Sequence, residues 1–243
     1  MLVLALAGVF PADDAVPAAP LPPNQILVKM AAMDRARMAG LKEYTSTRLY
    51  ALENKRFKTK AAMRVKMQYS LPGKKEFTVI SESGARVICQ KVFRRMVDSE
   101  LEASTGKVQQ QTKIIPENYE FRYIGVQPDR GRMAYVFAVS PKVRHRYSIE
   151  GRVFIDAIDF AITRIEGQPA KNPSFWVRSS KFVQVYQKFG PFWLPESNAS
   201  ETDVVLFGQT DVDIRYSDYI IKAVDGPSLA DAQAASGAQA SSN

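Results

Sequence analysis

Few residues of this 243-residue sequence belong to the types that carry out covalent chemistry. The chain has one histidine, His145 in the basic run KVRHRY, and one cysteine, Cys89. A thiol and an imidazole could pair as nucleophile and base. Cys89, however, follows Ile88 near the start of a predicted helix, where a small core residue is favoured. The sequence also lacks the HExxH, GxSxG and glycine-rich phosphate-binding motifs. We therefore predict a non-enzymatic protein without metal or cofactor.

Two carboxylates lie close together in the segment FIDAIDF, as Asp156 and Asp159. Paired carboxylates can act as general acid and base in hydrolysis. Aspartate is also a preferred turn residue, because its side chain accepts hydrogen bonds from nearby backbone amides. The turn interpretation is favoured here.

Aromatic side chains are concentrated in one stretch, PSFWVRSSKFVQVYQKFGPFWLPE at 173–196. It contains both tryptophans, each preceded by phenylalanine, as Phe175-Trp176 and Phe192-Trp193. Each pair follows a proline, which suits the entry of a strand at the rim of a sheet. Two interpretations stay open for these side chains. They pack the core, which is favoured, or they form the wall of a binding site for an apolar ligand.

The net charge is +8, and the calculated isoelectric point is about 9.5. The basic residues are spread over predicted strands instead of being gathered in a block, so we predict no nucleic-acid partner. Arg64, Lys66 and the run 142–146 are candidates for contact with lipid headgroups or an acidic partner. A solvated outer face is the favoured alternative for them.

The start of the chain resembles an export signal. The apolar run MLVLALAGVF contains Ala5-Leu6-Ala7, a candidate cleavage site, and a Pro/Ala-rich spacer follows it. We predict a leader and spacer at 1–22, one folded domain at 23–222 and a disordered Ala/Ser/Gly-rich tail at 223–243. The predicted location is the periplasm.

Hydrophobic periodicity predicts a β-rich domain with two helices. One helix follows Asn24 as its cap and ends near Gly40, and a second, at 85–103, carries Ile88, Val92, Met96 and Leu101 as its apolar stripe. Strands are predicted at 44–53, 61–70, 75–82, 118–126, 132–141, 146–157, 161–168, 176–188, 192–206 and 209–221. Short connections between about ten antiparallel strands favour a meander that curls into a barrel or an open half-barrel. The fold class is therefore α+β, mainly β, with the helices covering the concave face.

Four stretches resemble the outer-membrane lipoprotein-sorting protein-like family, within the lipoprotein carrier (LolA/LolB) superfamily. They are KEFTVISESG at 75–84, PENYEFRYIG at 116–125, GRVFIDAIDFAITRIEGQPAKNPSFW at 151–176 and KFGPFWLPESN at 188–198. The resemblance implies a half-barrel whose hydrophobic cavity takes acyl chains. It also implies a strand arginine that latches a helical lid by hydrogen bonds. Arg48, on the first strand after the leading helix, is the nearest candidate for that latch.

The functional expectation is an exported carrier or sensor for the acyl chains of lipoproteins or phospholipids, acting in outer-membrane lipoprotein sorting or lipid transport. It would be a monomer that touches membranes transiently and meets a membrane-protein partner. The alternative is a periplasmic protein-interaction or regulatory module that uses the same fold without lipid cargo. Candidate cavity-wall or lid residues are Met63, Met67, Ile88, Val92, Met96, Tyr135, Phe137, Phe175, Trp176, Phe192 and Trp193.

Overall fold

The computed structural model describes residues 21–172, 177–206 and 208–224. Within these residues the chain forms ten strands and three helical segments. The strands are β1 (Leu41–Asn54), β2 (Thr59–Ser70), β3 (Lys74–Gly84), β4 (Tyr119–Asp129), β5 (Arg132–Pro141), β6 (Ile149–Asp156), β7 (Ile162–Pro169), β8 (Val177–Phe189), β9 (Phe192–Val204) and β10 (Gly208–Ala223). The helices are α1 (Pro23–Gly40), α2 (86–103) and α3 (Gly106–Thr112).

All ten strands form one open antiparallel sheet in the order β3-β2-β1-β10-β9-β8-β7-β6-β5-β4. The predicted α+β half-barrel with helices on one face is therefore confirmed. The meander runs without interruption from β4 to β10, and β1 then pairs with β10 at the join. The pairing of the first strand with the last had no signal in the sequence, because it is set by long-range packing.

This strand order dictates where the inserted helices lie. β3 and β4 follow each other in the chain but form opposite edges of the sheet. The connection at 85–118 must therefore cross a face of the sheet, and it carries α2 and α3. α2 packs over β1, β2 and β10, and α1 covers the half that includes β5, β6 and β7.

The strands show the alternation that one helix-covered face requires. Along β2, Met63, Val65 and Met67 are buried, whereas Arg64 and Lys66 are exposed. Because successive side chains of a strand point to opposite sides, the apolar set faces the helices and the basic set faces solvent. The strand predicted at 61–70 is confirmed.

The helix boundaries differ in detail from the predicted ones. α1 begins at Pro23 after Pro22 and ends at Gly40. The Asn24 side chain accepts a hydrogen bond only from the next amide, that of Gln25 at 3.0 Å, so it does not cap the helix. A proline at the first position suits a helix start because its missing N–H would be unpaired there. The short helix α3 was not predicted, because the glutamines of GKVQQQT give no apolar periodicity.

α2 is one continuous helical segment with a change of period inside it. Arg86–Ile88 is α-helical, Cys89–Phe93 is π-helical and Arg94–Ala103 is α-helical again. The wider π turn changes which side chains of the helix face the sheet. As a result Cys89 and Phe93 are buried, whereas Val92 of the predicted stripe is 37% exposed.

Three large hydrophobic clusters form the core, and two of them include helix residues. The first joins Ile26 and Met30 of α1 to residues such as Tyr135, Phe137 and Val153. The second joins Cys89 and Phe93 of α2 to Tyr50, Met63, Val65 and Ile214, among others. The third lies around Tyr44, Met67, Phe192, Leu194 and Ile221. The core is thus divided along the sheet, and α1 and α2 each cover a different part of it.

A small fourth cluster accounts for the strands that are apolar on both faces. Ala134, Val136 and Phe154 are buried together, separately from the clusters under the helices. The Arg164 guanidinium lies 3.7 Å from the centre of the Phe154 ring, and the Arg152 guanidinium lies 6.0 Å from it. Long arginine side chains therefore cover this face, as their apolar stems allow.

Candidate functional site

A cavity of about 310 Å³ lies between α1, the segment 112–115 and the strands β7, β8 and β9. Its volume is at the lower end of the range of about 300–1,000 Å³ typical of small-molecule sites. The lining is mainly apolar, with a few charged side chains. It consists of Met30, Ala31, Asp34, Arg37, Thr112, Lys113, Ile114, Ile115, Ala161, Ile162, Ile165, Tyr186 and Trp193. A mainly apolar space of this size fits part of a single alkyl chain.

α1 roofs this cavity and is held there by few contacts. Only Ile26 and Met30 of the helix are buried. Near its end, Arg37 donates hydrogen bonds to the backbone carbonyls of Asp159, at 2.9 Å, and Phe160, at 3.4 Å. Burial lowers the pKa of Arg37, against the opposing effect of nearby aspartates. Asp34 forms an ion pair with Lys113 at 2.6 Å, which ties α1 to the segment after α3.

The turn after β6 forms a polar rim near this cavity. Asp156 is buried, and its Oδ1 accepts hydrogen bonds from the amides of Ile158 and Asp159, at 3.0 and 2.6 Å. Arg132 donates to the same carboxylate at 2.5 Å. Burial opposes ionisation of Asp156, but these hydrogen bonds outweigh it and lower its pKa. Asp156 thus makes the turn contacts that the sequence predicted.

Asp159 lies at the outer side of the same turn and connects it to the aromatic segment. Its Oδ2 accepts hydrogen bonds from Trp193 Nε1 at 3.2 Å and from Lys188 Nζ at 2.7 Å. Trp193 therefore presents its ring to the cavity while its polar edge is fixed at the rim. This arrangement suits an amphipathic ring at an apolar entrance.

A second feature of the helix-covered face is a buried ion pair. Arg48, in the middle of β1, is 2% exposed and donates from Nη1 to Oε2 of Glu100 on α2. Lys75 of the edge strand β3 donates to Oε1 of the same carboxylate at 2.8 Å. One glutamate of α2 thus links the helix to two strands by charge.

Aromatic rings surround the guanidinium group of Arg48. Its central carbon lies 5.0 Å from the ring centres of both Phe77 and Tyr216. Among the described residues, Arg48 Nε and the hydroxyl of buried Ser46, on the same face of β1, have no hydrogen-bond partner. The site therefore retains two polar groups beyond those that Glu100 and Lys75 use.

The pKa values around the ion pair follow from burial and charge. Burial opposes ionisation of Glu100, but Lys75 and Arg48 outweigh it and lower its pKa to about 2. Burial likewise opposes the charge on Arg48, and Glu100 reverses this effect, so the pKa of Arg48 is raised. Burial, the largest cause, raises the pKa of the neighbouring Tyr50 and Tyr216. The carboxylate and the guanidinium are both charged at neutral pH.

Tyr186 connects the cavity with the ion pair. Its side chain lines the cavity. Burial, followed by the charges of Asp34 and Glu100, raises its pKa to about 12. The strand register places Tyr186 of β8 in the same row across the sheet as Tyr216 of β10 and Arg48 of β1. The cavity and the Arg48–Glu100 pair are therefore joined by one row of residues that crosses β8, β9, β10 and β1.

The structure distributes the predicted site residues over several environments. Met63 is in the cluster under α2, with Ile88 and Met96 packed against it. Tyr135 and Phe137 are in the cluster under α1, and Met67 and Phe192 are in the third cluster. Of the predicted wall residues, Trp193 lines the cavity. Val92 is exposed, and Phe175 and Trp176 lie outside the described residues. For all the predicted wall and lid residues, a role in ligand binding stays a prediction.

The residues considered for covalent chemistry have other contacts. Cys89 is buried in the cluster with Phe93, and its Sγ donates weakly to the carbonyls of Ser83, at 3.6 Å, and Ala62, at 3.7 Å. His145 lies in the loop after β5, where its Nδ1 accepts a hydrogen bond from the Tyr147 amide at 3.3 Å. Within 21–172, 177–206 and 208–224, no cluster of three or more potential metal ligands is present.

Three polar residues of the site were not predicted from the sequence, namely Glu100, Arg37 and Tyr186. Glu100 lies between Ser99 and Leu101 on the predicted helix. The one signal that could have identified it is its place one turn beyond Met96 on the apolar side of α2. Arg37 similarly follows Met30 by two turns. Tyr186 lies within the strand predicted at 176–188 and has no distinguishing signal there.

No family model matches the chain, and no curated protein matches it. Solved structures do. A domain described as an outer membrane lipoprotein-sorting protein, from Vibrio parahaemolyticus, is 14% identical, with a TM-score of 0.45 over 84% of this chain and 94% of that one. A DUF1329 family protein from Desulfovibrio piger is 12% identical, with a TM-score of 0.43 over 85% and 95%. A LolA superfamily protein from Nitrosomonas europaea is 12% identical, with a TM-score of 0.44 over 86% and 96%.

One of these matched structures is described as a protein of the superfamily that the sequence motifs resemble. Their identities and TM-scores are too low to transfer a function to this chain. No helix in the described part of the chain is long and apolar enough to cross a membrane.

Proposed function

We propose that this chain is an exported, non-enzymatic carrier or sensor that binds acyl chains of lipoproteins or lipids beneath its helices. The observation that carries the proposal is the apolar cavity between α1 and the helix-covered face of the half-barrel. A periplasmic location and a role in outer-membrane lipoprotein sorting or lipid transport are part of the same proposal.

The size of the cavity indicates the mode of binding. At about 310 Å³ it has room for part of one chain in the closed form. Burying about five methylenes at about 0.8 kcal/mol each contributes about 4 kcal/mol. This gain suits transient capture and release. A longer or second chain would require α1 to move outward. This movement costs little free energy, because few side chains of α1 are buried.

The proposal is tested by filling the cavity from its roof. Ala31 lines the cavity and the adjacent Ala32 is exposed, so Ala31→Phe and Ala32→Phe are a matched pair. We expect Ala31→Phe to weaken binding of a neutral alkyl probe, hexadecan-1-ol, by about tenfold or more. The phenyl ring would displace a segment of the alkyl chain from the cavity, and a loss of about 1.4 kcal/mol of binding free energy lowers the affinity tenfold. Ala32→Phe should leave it unchanged. Isothermal titration calorimetry measures both.

Equal affinities in the two variants would show that the cavity is not where the chain binds. Native mass spectrometry with lipid extraction, on protein purified gently from a bacterial periplasm, complements this test. A co-purifying lipid or acylated peptide supports carriage. A ligand-free mass without uptake of added lipid contradicts it.

A second candidate is a protein-interaction or regulatory module without lipid cargo. It is favoured by the edge strand β3, which exposes 40% of Val79 and 55% of Ile80. An unpaired edge with apolar side chains can add a strand from a partner. Loss of partner binding in Ile80→Lys, with hexadecan-1-ol binding unchanged, would favour this module over the carrier.

A further inference from the structure

The buried ion pair raises a question about any movement of α2. Arg48 is 2% exposed in the middle of β1, and Glu100 is the one carboxylate that it contacts among the described residues. Glu100 belongs to α2, which must shift if a ligand is to reach this half of the face. The shift would leave the guanidinium among Phe77 and Tyr216 without its anion. An uncompensated buried charge is strongly unfavourable.

A ligand that brings its own anion removes this obstacle. A carboxylate or phosphate next to Arg48 would take over the contacts of Glu100. It would also find donors that Glu100 does not use, the Arg48 Nε and the Ser46 hydroxyl. Arginine binds such oxyanions through two parallel hydrogen bonds when Nε and a terminal nitrogen both face the ligand. Lys75, now 2.8 Å from Glu100, supplies a second positive charge.

The cavity supplies the place for the rest of such a ligand. Tyr186 lines it, and the strand register places Tyr186 in the same row across the sheet as Tyr216 and Arg48, so a chain that leaves the cavity along this row would bring its head to Arg48. The volume of about 310 Å³ has room for part of one alkyl chain and not for several chains. The geometry therefore favours a single-chain amphiphile over a lipid with several chains in the closed form.

From this geometry we infer that Arg48 is the binding site for the oxyanion head of a single-chain amphiphile, and that Glu100 occupies it as an internal substitute when no ligand is present. The inference rests on the proposed acyl-chain function and specifies its ligand. Binding replaces the Glu100 carboxylate with the oxyanion of the ligand, so the ion pair selects anionic over neutral ligands. The carboxylate of a fatty acid and the phosphate of an alkyl phosphate share the required chemistry.

The test compares three probes with the same chain, hexadecanoate, hexadecyl phosphate and hexadecan-1-ol, by calorimetry at pH 7 below their aggregation concentrations. We expect the wild-type protein to bind at least one anion about tenfold more tightly than the alcohol, a difference of about 1.4 kcal/mol. The ratio of the affinities for the two anions shows whether the site prefers a carboxylate or a phosphate head. This comparison needs no variant.

Variants then locate the selectivity. Glu100→Gln removes the internal substitute and should raise affinity for the preferred anion about tenfold while changing that for the alcohol much less. Arg48→Met should abolish the preference. Glu102→Gln is the control, because Glu102 also holds α2, through Arg146 and Tyr147, but does not contact Arg48. It should leave the ratio of affinities as in the wild type.

A second readout is rescue of stability. In Glu100→Gln the anion replaces a missing carboxylate, so it should raise the melting temperature of this variant more than that of the wild type. Anion and alcohol affinities that are equal, and equal again in Glu100→Gln, would overturn the inference and leave the acyl-chain cavity standing. Absence of binding of all three probes would refute both the inference and the proposed function.

Discussion

The two halves of the helix-covered face are closed in different ways. In the α1 half, two side chains of the helix, Ile26 and Met30, are buried, and a cavity of about 310 Å³ remains below. In the α2 half, Cys89 and Phe93 fill the space under the π turn. Further along the same helix, Glu100 meets Arg48 and Lys75. α1 thus covers a cavity with few buried side chains, whereas α2 is closely packed and is also held by an ion pair.

This difference suggests a division of labour. Apolar contacts without a specific partner are exchanged readily for contacts with an alkyl chain, because the hydrophobic effect is not directional. A buried ion pair is exchanged only for another anion. The α1 half therefore suits chain binding, and the α2 half suits selection of the ligand's head. The following predictions test whether the two halves differ in this way.

The largest expected difference concerns the packed side chains. Phe93 is fully buried, and Phe93→Ala should lower the free energy of unfolding by about 3–5 kcal/mol. Met30→Ala should cost only about 2 kcal/mol, the low end for such truncations, because its side chain already borders the cavity and loses fewer contacts. Urea denaturation measures both. A larger loss for Met30→Ala would show that α1 is the tightly packed half.

The contrast between the halves also explains how much the sequence could predict. Both ends of the strand at 132–141 were predicted correctly. The alternation of Tyr135 and Phe137 with smaller residues is a pattern of neighbouring residues, which the sequence shows directly. The π turn over Cys89–Phe93 was not, because its phase shift depends on packing against β2. Arg48 was predicted to be the latch residue only from the resemblance to the lipoprotein carrier superfamily. Its partner Glu100 could not be inferred, because the pair joins residues far apart in the chain.

The cavity illustrates the same limit. Trp193 was proposed as wall or packing residue, and the structure places it at the cavity while Phe192 lies in a core cluster. Adjacent aromatic residues in one strand have the same composition signal but point in different directions. Which of them borders empty space depends on the position of α1, which no local pattern encodes.

The next effect in size concerns the pH dependence of the α2 half. The pKa of Glu100 is lowered to about 2, from an ordinary value near 4.5. A lowered pKa stabilises the fold fully above the unfolded-state value, and this contribution is lost as the pH falls toward the folded-state value. The shift corresponds to at most about 3 kcal/mol, and we expect about 2 because Glu100 is 29% exposed.

The measurement is the free energy of unfolding of the wild type and of Glu100→Gln between pH 7 and pH 2. At pH 7 the variant should be less stable by about 2 kcal/mol. The difference should shrink as the pH falls from about 4.5 toward 2, because Glu100 of the unfolded wild type is protonated there while Glu100 of the folded protein stays ionised. Other acidic groups titrate in both proteins and cancel in this comparison. A difference that does not change with pH would mean that the charge of Glu100 does not hold α2.

The smallest expected effect concerns the ion pair of the α1 half. Asp34 and Lys113 form their contact with 37% and 38% of the side chains exposed. Exposed pairs contribute little, because solvent screens the charges and ordering two flexible side chains costs entropy. Asp34→Asn should therefore change the free energy of unfolding by about 0.5 kcal/mol or less. Asp98→Asn, at an exposed position of α2, is the matched control. If Asp34→Asn destabilised the protein as strongly as Glu100→Gln, charge would hold both helices. The proposed separation of a chain-binding half from a head-selecting half would then lose its physical basis.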